Sequence, residues 1–207
     1  IRDSSCIGGK QNGIPWFKPE PCHQVVADLA EEARIDLLSF NEGFIPHEPG
    51  DPVRETTQNR LRQIVDLCAQ RGVSIALETG QETASTILGV LAELDRPDVG
   101  INFDPANMIL YGVGEPIAAL EKLGPRVRSV HCKDATWSDE PGVTWGAEVP
   151  LGEGAVGMET YLRTLQKIGY TGPLTIEREI PQEPARQKAE IAGALDLLES
   201  LKTKISI

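Results

Sequence analysis

The sequence predicts an α/β fold built on a parallel sheet, and three observations lead there. Apolar runs of about five residues alternate with segments of helical period through most of the 207 residues. The runs are apolar nearly throughout rather than at every second position, as in strands covered on both faces. Hydrophobic residues make up 40% and charged residues 25%, an ordinary balance for a chain that buries a core. A doubly wound sheet and a (β/α)8 barrel both satisfy the alternation. A complete barrel takes about 250 residues, so a barrel reading requires that one to three N-terminal units are absent or degenerate.

The elements follow in order. A helix over 25–33 precedes a strand over 35–40. Pro46, Pro49, Gly50 and Pro52 make the next segment a loop. A helix over about 54–71 carries Leu61, Ile64, Val65, Leu67 and Cys68 as its apolar positions and stops at Gly72. The strand 73–78 is followed by a helix over about 83–94, and the strand 99–104 by a helix over about 116–123. After the strand 127–131 comes a Gly/Pro-rich stretch from 134 to 157, then a helix near 159–168. The strand 174–177 leads into a last helix over about 183–201. These are five strand-then-helix units with no linker and no low-complexity segment, so 1–207 reads as one domain.

Charge narrows the function classes. With 31 acidic and 20 basic residues the net charge is −11, against the basic patch that a nucleic-acid binder needs. The balance fits a protein that handles small polar or neutral substrates. No apolar run reaches the roughly 18 residues of a membrane span, and 1–4 has neither a charged leader nor a signal core. The expectation is a cytoplasmic protein with no membrane partner. The chain opens on Ile1 without an initiator Met, which leads us to expect a processed product or a fragment. Cys6, Cys22, Cys68 and Cys132 are 16, 46 and 64 residues apart, which matches no zinc-finger or CxxC spacing, so free thiols are expected.

Four strands end on residues with ligand chemistry: Glu78, Asp104, His131 and Glu177. The first three are 26 and 27 residues apart, one βα unit each; the last follows after 46, one unit plus the long loop. In a barrel the strand C-termini converge on one mouth. Three carboxylates and an imidazole gathered there repel one another unless a cation neutralises them. Oxygen-rich ligands with one nitrogen suit Mn²⁺, Mg²⁺ or Co²⁺, with Zn²⁺ also accommodated.

The strings 77–84 (from Leu77 through Glu78 to Ala84), 102–108 (with Asp104, Pro105 and Asn107), 130–134 (with His131, Lys133 and Asp134) and 175–179 (with Glu177, Arg178 and Glu179) carry a resemblance. The chain resembles the sugar phosphate isomerase/epimerase family of the xylose isomerase-like TIM-barrel superfamily, over roughly 25–200. The resemblance implies a (β/α)8 barrel incomplete at its N-terminus, with five to six βα units present. It implies one divalent ion held by Glu78, Asp104, His131 and Glu177, with Glu78 and Glu177 doubling as acid and base. Two positions depart from the family pattern. Many epimerases carry a second His three residues after the metal Asp, where this chain has Asn107, and a His is expected near Asn41.

What the resemblance implies is a metal-dependent sugar isomerase or epimerase working through an enediolate. Carboxylates on opposite faces of a carbonyl-bearing substrate remove a proton on one side and return it on the other, which is epimerisation. Return to the neighbouring carbon is isomerisation, and loss of a β-hydroxyl is dehydration, so a cyclitol or keto-sugar lyase is the alternative. A non-catalytic sugar-binding partial barrel is the second alternative. An apurinic-site endonuclease needs three zinc ions and many His ligands, against three histidines here. Asn107, Lys133, Asp134 and Arg178 are candidate substrate contacts for a small sugar, with Lys133 and Arg178 equally readable as members of ion pairs. Gly152, Glu153 and Gly154 form a tight turn that is not a phosphate-cradling loop, Trp137 and Trp145 lie in the long loop, and His23 and His47 read as solvated. A homo-oligomer is left open.

Overall fold

The structure, a computed structural model, describes residues 21–180 and 183–206, so Cys6 and the Cys22 side chain lie outside it. The elements are α1 (Pro21–Glu32), β1 (Leu37–Phe40), α2 (Pro52–Ala69), β2 (Ser74–Glu78), α3 (Ala84–Leu94), β3 (Val99–Phe103), α4 (Pro105–Tyr111), α5 (Pro116–Leu123), β4 (Val127–Cys132), β5 (Asp134–Thr136), β6 (Ala147–Val149), α6 (Met158–Lys167), β7 (Leu174–Ile176) and α7 (Pro184–Ile205). A 3₁₀ turn, Gly124–Arg126, feeds β4.

Five strands form one curled, all-parallel sheet in the order β1-β2-β3-β4-β7, with the two strands of the β5–β6 hairpin paired separately. Chain order is sheet order, as expected when each helix returns the chain to the next position along. All the strand C-termini therefore point one way. Among the described residues β1 and β7 are each paired on one side only, so the barrel is open there.

Burial explains which strands read most clearly. Every residue of β3 is buried, and Val99, Ile101 and Phe103 are wholly inaccessible. Burying a side chain of that size contributes about 1.5–3 kcal/mol. Helix starts are fixed by caps. Asp51 accepts from the Val53 N–H at 2.7 Å and Thr83 from the Thr86 N–H at 3.2 Å, each satisfying donors that the first turn leaves over. The loop between β1 and α2 is tied down by the buried Arg54 guanidinium, which donates to the carbonyls of Pro46 (3.1 Å) and His47 (2.9 Å) and pairs with Glu93 (2.8 Å).

Two segments differ from the sequence reading. Residues 105–115, assigned no element, hold the seven-residue α4, which the Asp104 carboxylate caps. Within the Gly/Pro-rich stretch β5 and β6 pair antiparallel, with Ala135 opposite Glu148. Three-residue strands are too short to show a period against that composition. Cys68 and Cys132 are free and buried, as expected. Among the described residues no helix is long and apolar enough to cross a membrane.

Candidate metal centre

Glu78 ends β2, Asp104 follows β3, His131 lies near the end of β4 and Glu177 follows β7. The shared direction of the strands brings all four to one end of the sheet. One ligand atom from each lies within 4.8 Å of the others. His131 Nδ1 is the hub, at 2.9 Å from Glu177 Oε2, 3.2 Å from Asp104 Oδ2 and 3.6 Å from Glu78 Oε1.

Neighbouring residues hold each ligand. Asp104 divides its carboxylate: Oδ1 accepts from the Ala106 and Asn107 N–H groups at 2.9 and 3.1 Å, and Oδ2 faces His131. The Thr79 hydroxyl accepts from Asp104 N–H at 2.8 Å and donates to Asp104 C=O at 3.0 Å, locking the ends of β2 and β3 together. Asn107 Nδ2 donates to Glu78 Oε1 at 3.2 Å and to Thr79 C=O at 2.9 Å. From α6, the buried Tyr161 donates its O–H to His131 C=O at 3.0 Å and stacks on Phe103.

His131 Nε2 lies 3.0 Å from the Asn102 amide, which also bonds Ser129 Oγ at 2.8 Å. With Nδ1 turned to the carboxylates as a ligand, Nε2 carries the proton and needs an acceptor. Asn102 is placed with Nδ2 toward Nε2 and with Oδ1 accepting from the Ser129 hydroxyl; a ligating His131 would need the amide turned over so that its oxygen accepts from Nε2–H, and the two orientations are equivalent in shape. Burial disfavours the imidazolium, but hydrogen bonds to Asp104 and Glu177 and their negative charge outweigh it, and the His131 pKa rises to about 10. The proton there is the counter-charge of three carboxylates. A divalent cation fits the same place: the donor set is oxygen-rich, converges on one point, and its imidazole has a tautomer that leaves Nδ1 free to ligate.

Lys133, 3% exposed at its side chain, sits at 3.4 Å from Glu177, 3.6 Å from Glu179, 3.7 Å from Glu148 and 3.8 Å from Asp104. Burial alone lowers a lysine pKa; these four carboxylates reverse that, and it is raised. Asp134 is fully engaged elsewhere. Its Oδ1 accepts from the N–H groups of Ala135 and Val156 at 3.0 and 3.1 Å, and its Oδ2 from those of Gly152 and Gly154 at 3.0 and 3.1 Å. A Cβ at Gly154 would occupy the space of Asp134 Oδ1, which explains glycine there. The Gly152–Gly154 turn thus serves Asp134 with backbone amides. Arg178 donates to Glu148 at 2.8 Å and to Glu190 at 2.6 Å. Trp145 packs edge-on against Tyr111, Trp137 packs against the core, and the exposed His47 bonds Thr86 Oγ1 at 2.7 Å.

Asn102, Glu148 and Thr79 are parts of this site that the sequence reading misses. It also misses Glu42 and Glu82, an acidic pair in which Glu42 lies close enough to Glu82 and Glu78 to feel both charges. Both are at most 3% exposed. Glu82 Oε1 accepts from Ile45 N–H at 2.8 Å, whereas Glu82 Oε2 and both Glu42 oxygens have no hydrogen-bond partner among the described residues. Burial raises the Glu82 pKa to about 7, and burial together with the charges of Glu82 and Glu78 raises that of Glu42.

Parallel strands in unbroken chain order along one curled sheet, with a polar cluster across their C-terminal ends, are the arrangement of the TIM-barrel class. The chain belongs to the xylose isomerase-like TIM barrel family, whose model matches residues 24–201. The crystal structure of a xylose isomerase domain protein from Planctomyces limnophilus is 47% identical, with a TM-score of 0.86 over 90% of this chain and 66% of that one. The L-ribulose-5-phosphate 3-epimerase UlaE of Salmonella paratyphi C is 29% identical over 78% of this chain and 55% of its own. The 3-dehydroshikimate dehydratase of Bacillus anthracis is 28% identical over 75% and 60%. The chain thus spans little more than half the length of these two curated relatives. The family contains both epimerases and dehydratases.

Proposed function

We propose that the protein is a divalent-metal-dependent sugar isomerase or epimerase that takes a proton from the carbon next to a carbonyl and forms an enediolate. The placement of Glu78 and Glu177 carries this reading. They come from β2 and β7, with β3 and β4 between them, and reach His131 Nδ1 at 3.6 and 2.9 Å. A substrate bound beside that point would meet a carboxylate on each side of its carbonyl plane. One removes the proton and the other returns it to the opposite face, or to the neighbouring carbon. A divalent ion held by Glu78, Asp104, His131 and Glu177 supplies Lewis-acid polarisation of the carbonyl. Lys133 brings a fixed positive charge beside the reacting oxygens, and Asn107 orients Glu78. Asp134 and Arg178 act one layer further out, on the loops that frame the substrate. The epimerase relative supports the proton-transfer chemistry.

A second reading, a dehydratase on a cyclitol or keto sugar, is favoured by the dehydratase relative at 28% identity, against 29% for the epimerase, and by Asn107, which cannot titrate where many epimerases carry His. One experiment separates the two. Ketoses, ketose phosphates and inososes are incubated with the protein in D₂O, with and without Mn²⁺. An epimerase returns sugar labelled at the carbon beside the carbonyl, only with metal. A dehydratase yields an unsaturated or deoxy-keto product. Recovery of every substrate unlabelled and intact refutes both.

A further inference from the structure

Three of the four ligand-bearing strands, β2, β3 and β4, are paired on both sides. Glu177 is different. It follows the three-residue β7, paired on one side only among the described residues, and its own N–H reaches Cys132 C=O at a long 3.3 Å. Sheet pairing alone holds this ligand least firmly, yet it makes the shortest contact with His131.

We infer that Glu148, on the β5–β6 hairpin, is the positioning residue that holds Glu177 in ligating geometry; this rests on the metal-site reading above. Glu148 Oε1 accepts from Glu179 N–H at 2.7 Å and from Arg178 Nη1 at 2.8 Å, the two residues that follow Glu177. Its Oε2 lies 3.7 Å from Lys133 Nζ, which in turn donates to Glu177 Oε2 at 3.4 Å. One carboxylate therefore brackets Glu177 from the backbone behind it and from the ammonium in front. The bonds to Arg178 are charge-assisted and shielded, with side-chain exposures of 8% for Arg178 and 12% for Glu148. Arg178 is braced from its other side by Glu190 of α7, so it cannot follow a displaced loop. The platform is rigid too: β5 pairs with β6 through Ala135 and Glu148, and the four amides on Asp134 fix the turn beyond it.

The test is Mn²⁺ affinity by titration calorimetry on the metal-stripped protein. Glu148→Ala should weaken binding by about 10- to 100-fold, the usual cost of losing an outer-shell partner. Glu148→Gln keeps the acceptor for Glu179 N–H and should recover most of that loss. In a Glu177→Gln background, Glu148→Ala should add little, because the group it positions is already altered. Should Glu148→Ala not fold, Glu148→Asp withdraws the carboxylate by one bond, about 1.5 Å, and should give an intermediate loss. Wild-type affinity in Glu148→Ala or Glu148→Asp overturns the inference, as does an undiminished further loss in the Glu177→Gln background. Absence of Mn²⁺ binding by the wild-type protein overturns the metal-site reading itself, and this inference with it.

Discussion

Replacing Glu82 by Gln should stabilise the protein, and more so as the pH rises. Glu82 is 2% exposed and burial raises its pKa from 4.5 to about 7. The native state therefore holds this proton more tightly than the unfolded chain. Between the two values the folded form binds more protons, so stability falls as pH rises through that window. At 1.36 kcal/mol per pKa unit, the penalty approaches about 3 kcal/mol at pH 8 but is only about 1 kcal/mol at pH 5. Gln keeps an oxygen for the Ile45 N–H and has no charge to desolvate. Removing the Glu82 charge also relieves its upward push on Glu42, which acts in the same direction, and the remaining titrating groups are common to both proteins and largely cancel in the difference. The variant's advantage should then grow by about 2 kcal/mol from pH 5 to pH 8, or roughly 4–8 °C in Tm for a chain of this size. Melting curves followed by circular dichroism in EDTA at four pH values measure it. A Tm difference that does not change with pH refutes the assignment of a retained proton to Glu82.

Further expectations concern the site. Mn²⁺ binding near pH 8 should release about one proton, because His131, at about 10, must deprotonate to ligate; calorimetry in two buffers of different ionisation enthalpy counts it, and zero release contradicts the imidazolium. Glu177→Gln should lower turnover on the order of 10²–10⁴-fold, as expected for a lost general base, while retaining some metal binding. Asp104→Ala should instead be partly rescued by excess Mn²⁺, so a metal titration of both activities distinguishes base from ligand. Asp134→Asn turns an amide donor toward two of four N–H groups and should cost about 2–4 kcal/mol in urea unfolding, with a loss below about 0.5 kcal/mol counting against its anchoring role.

The four clustered residues, Glu78, Asp104, His131 and Glu177, are legible in the sequence because each closes an apolar run, and a parallel sheet sends such positions to one end whatever the loops do. The partners that aim them are not legible. Asn102 lies inside β3 and meets His131, 29 residues on, and Glu148 meets Arg178 after 30 residues. Contacts of that range depend on strand register, which composition does not encode. Asp134 and Arg178 show the converse: their charge and their place beside the ligands suggest substrate contact, while the geometry commits both to protein partners. The helix α4 was hidden in plain view. Asp104 followed by Pro105 is a cap followed by a residue suited to a first turn, but a seven-residue helix has too few turns to show a period. The hairpin that carries Glu148 is masked by its glycines and prolines, and so the residue that braces Glu177 sits in the segment with the weakest pattern.

The divided carboxylate of Asp104 ties the backbone of α4 to the state of the site. Oδ1 serves the amides of Ala106 and Asn107 while Oδ2 faces His131, so one side chain cannot turn toward the cluster without moving both. Those two amides are built-in reporters. Their hydrogen-exchange rates register how firmly Asp104 is held. An occupied cluster should slow them and a stripped one quicken them, giving a spectroscopic signal of loading that needs neither substrate nor turnover.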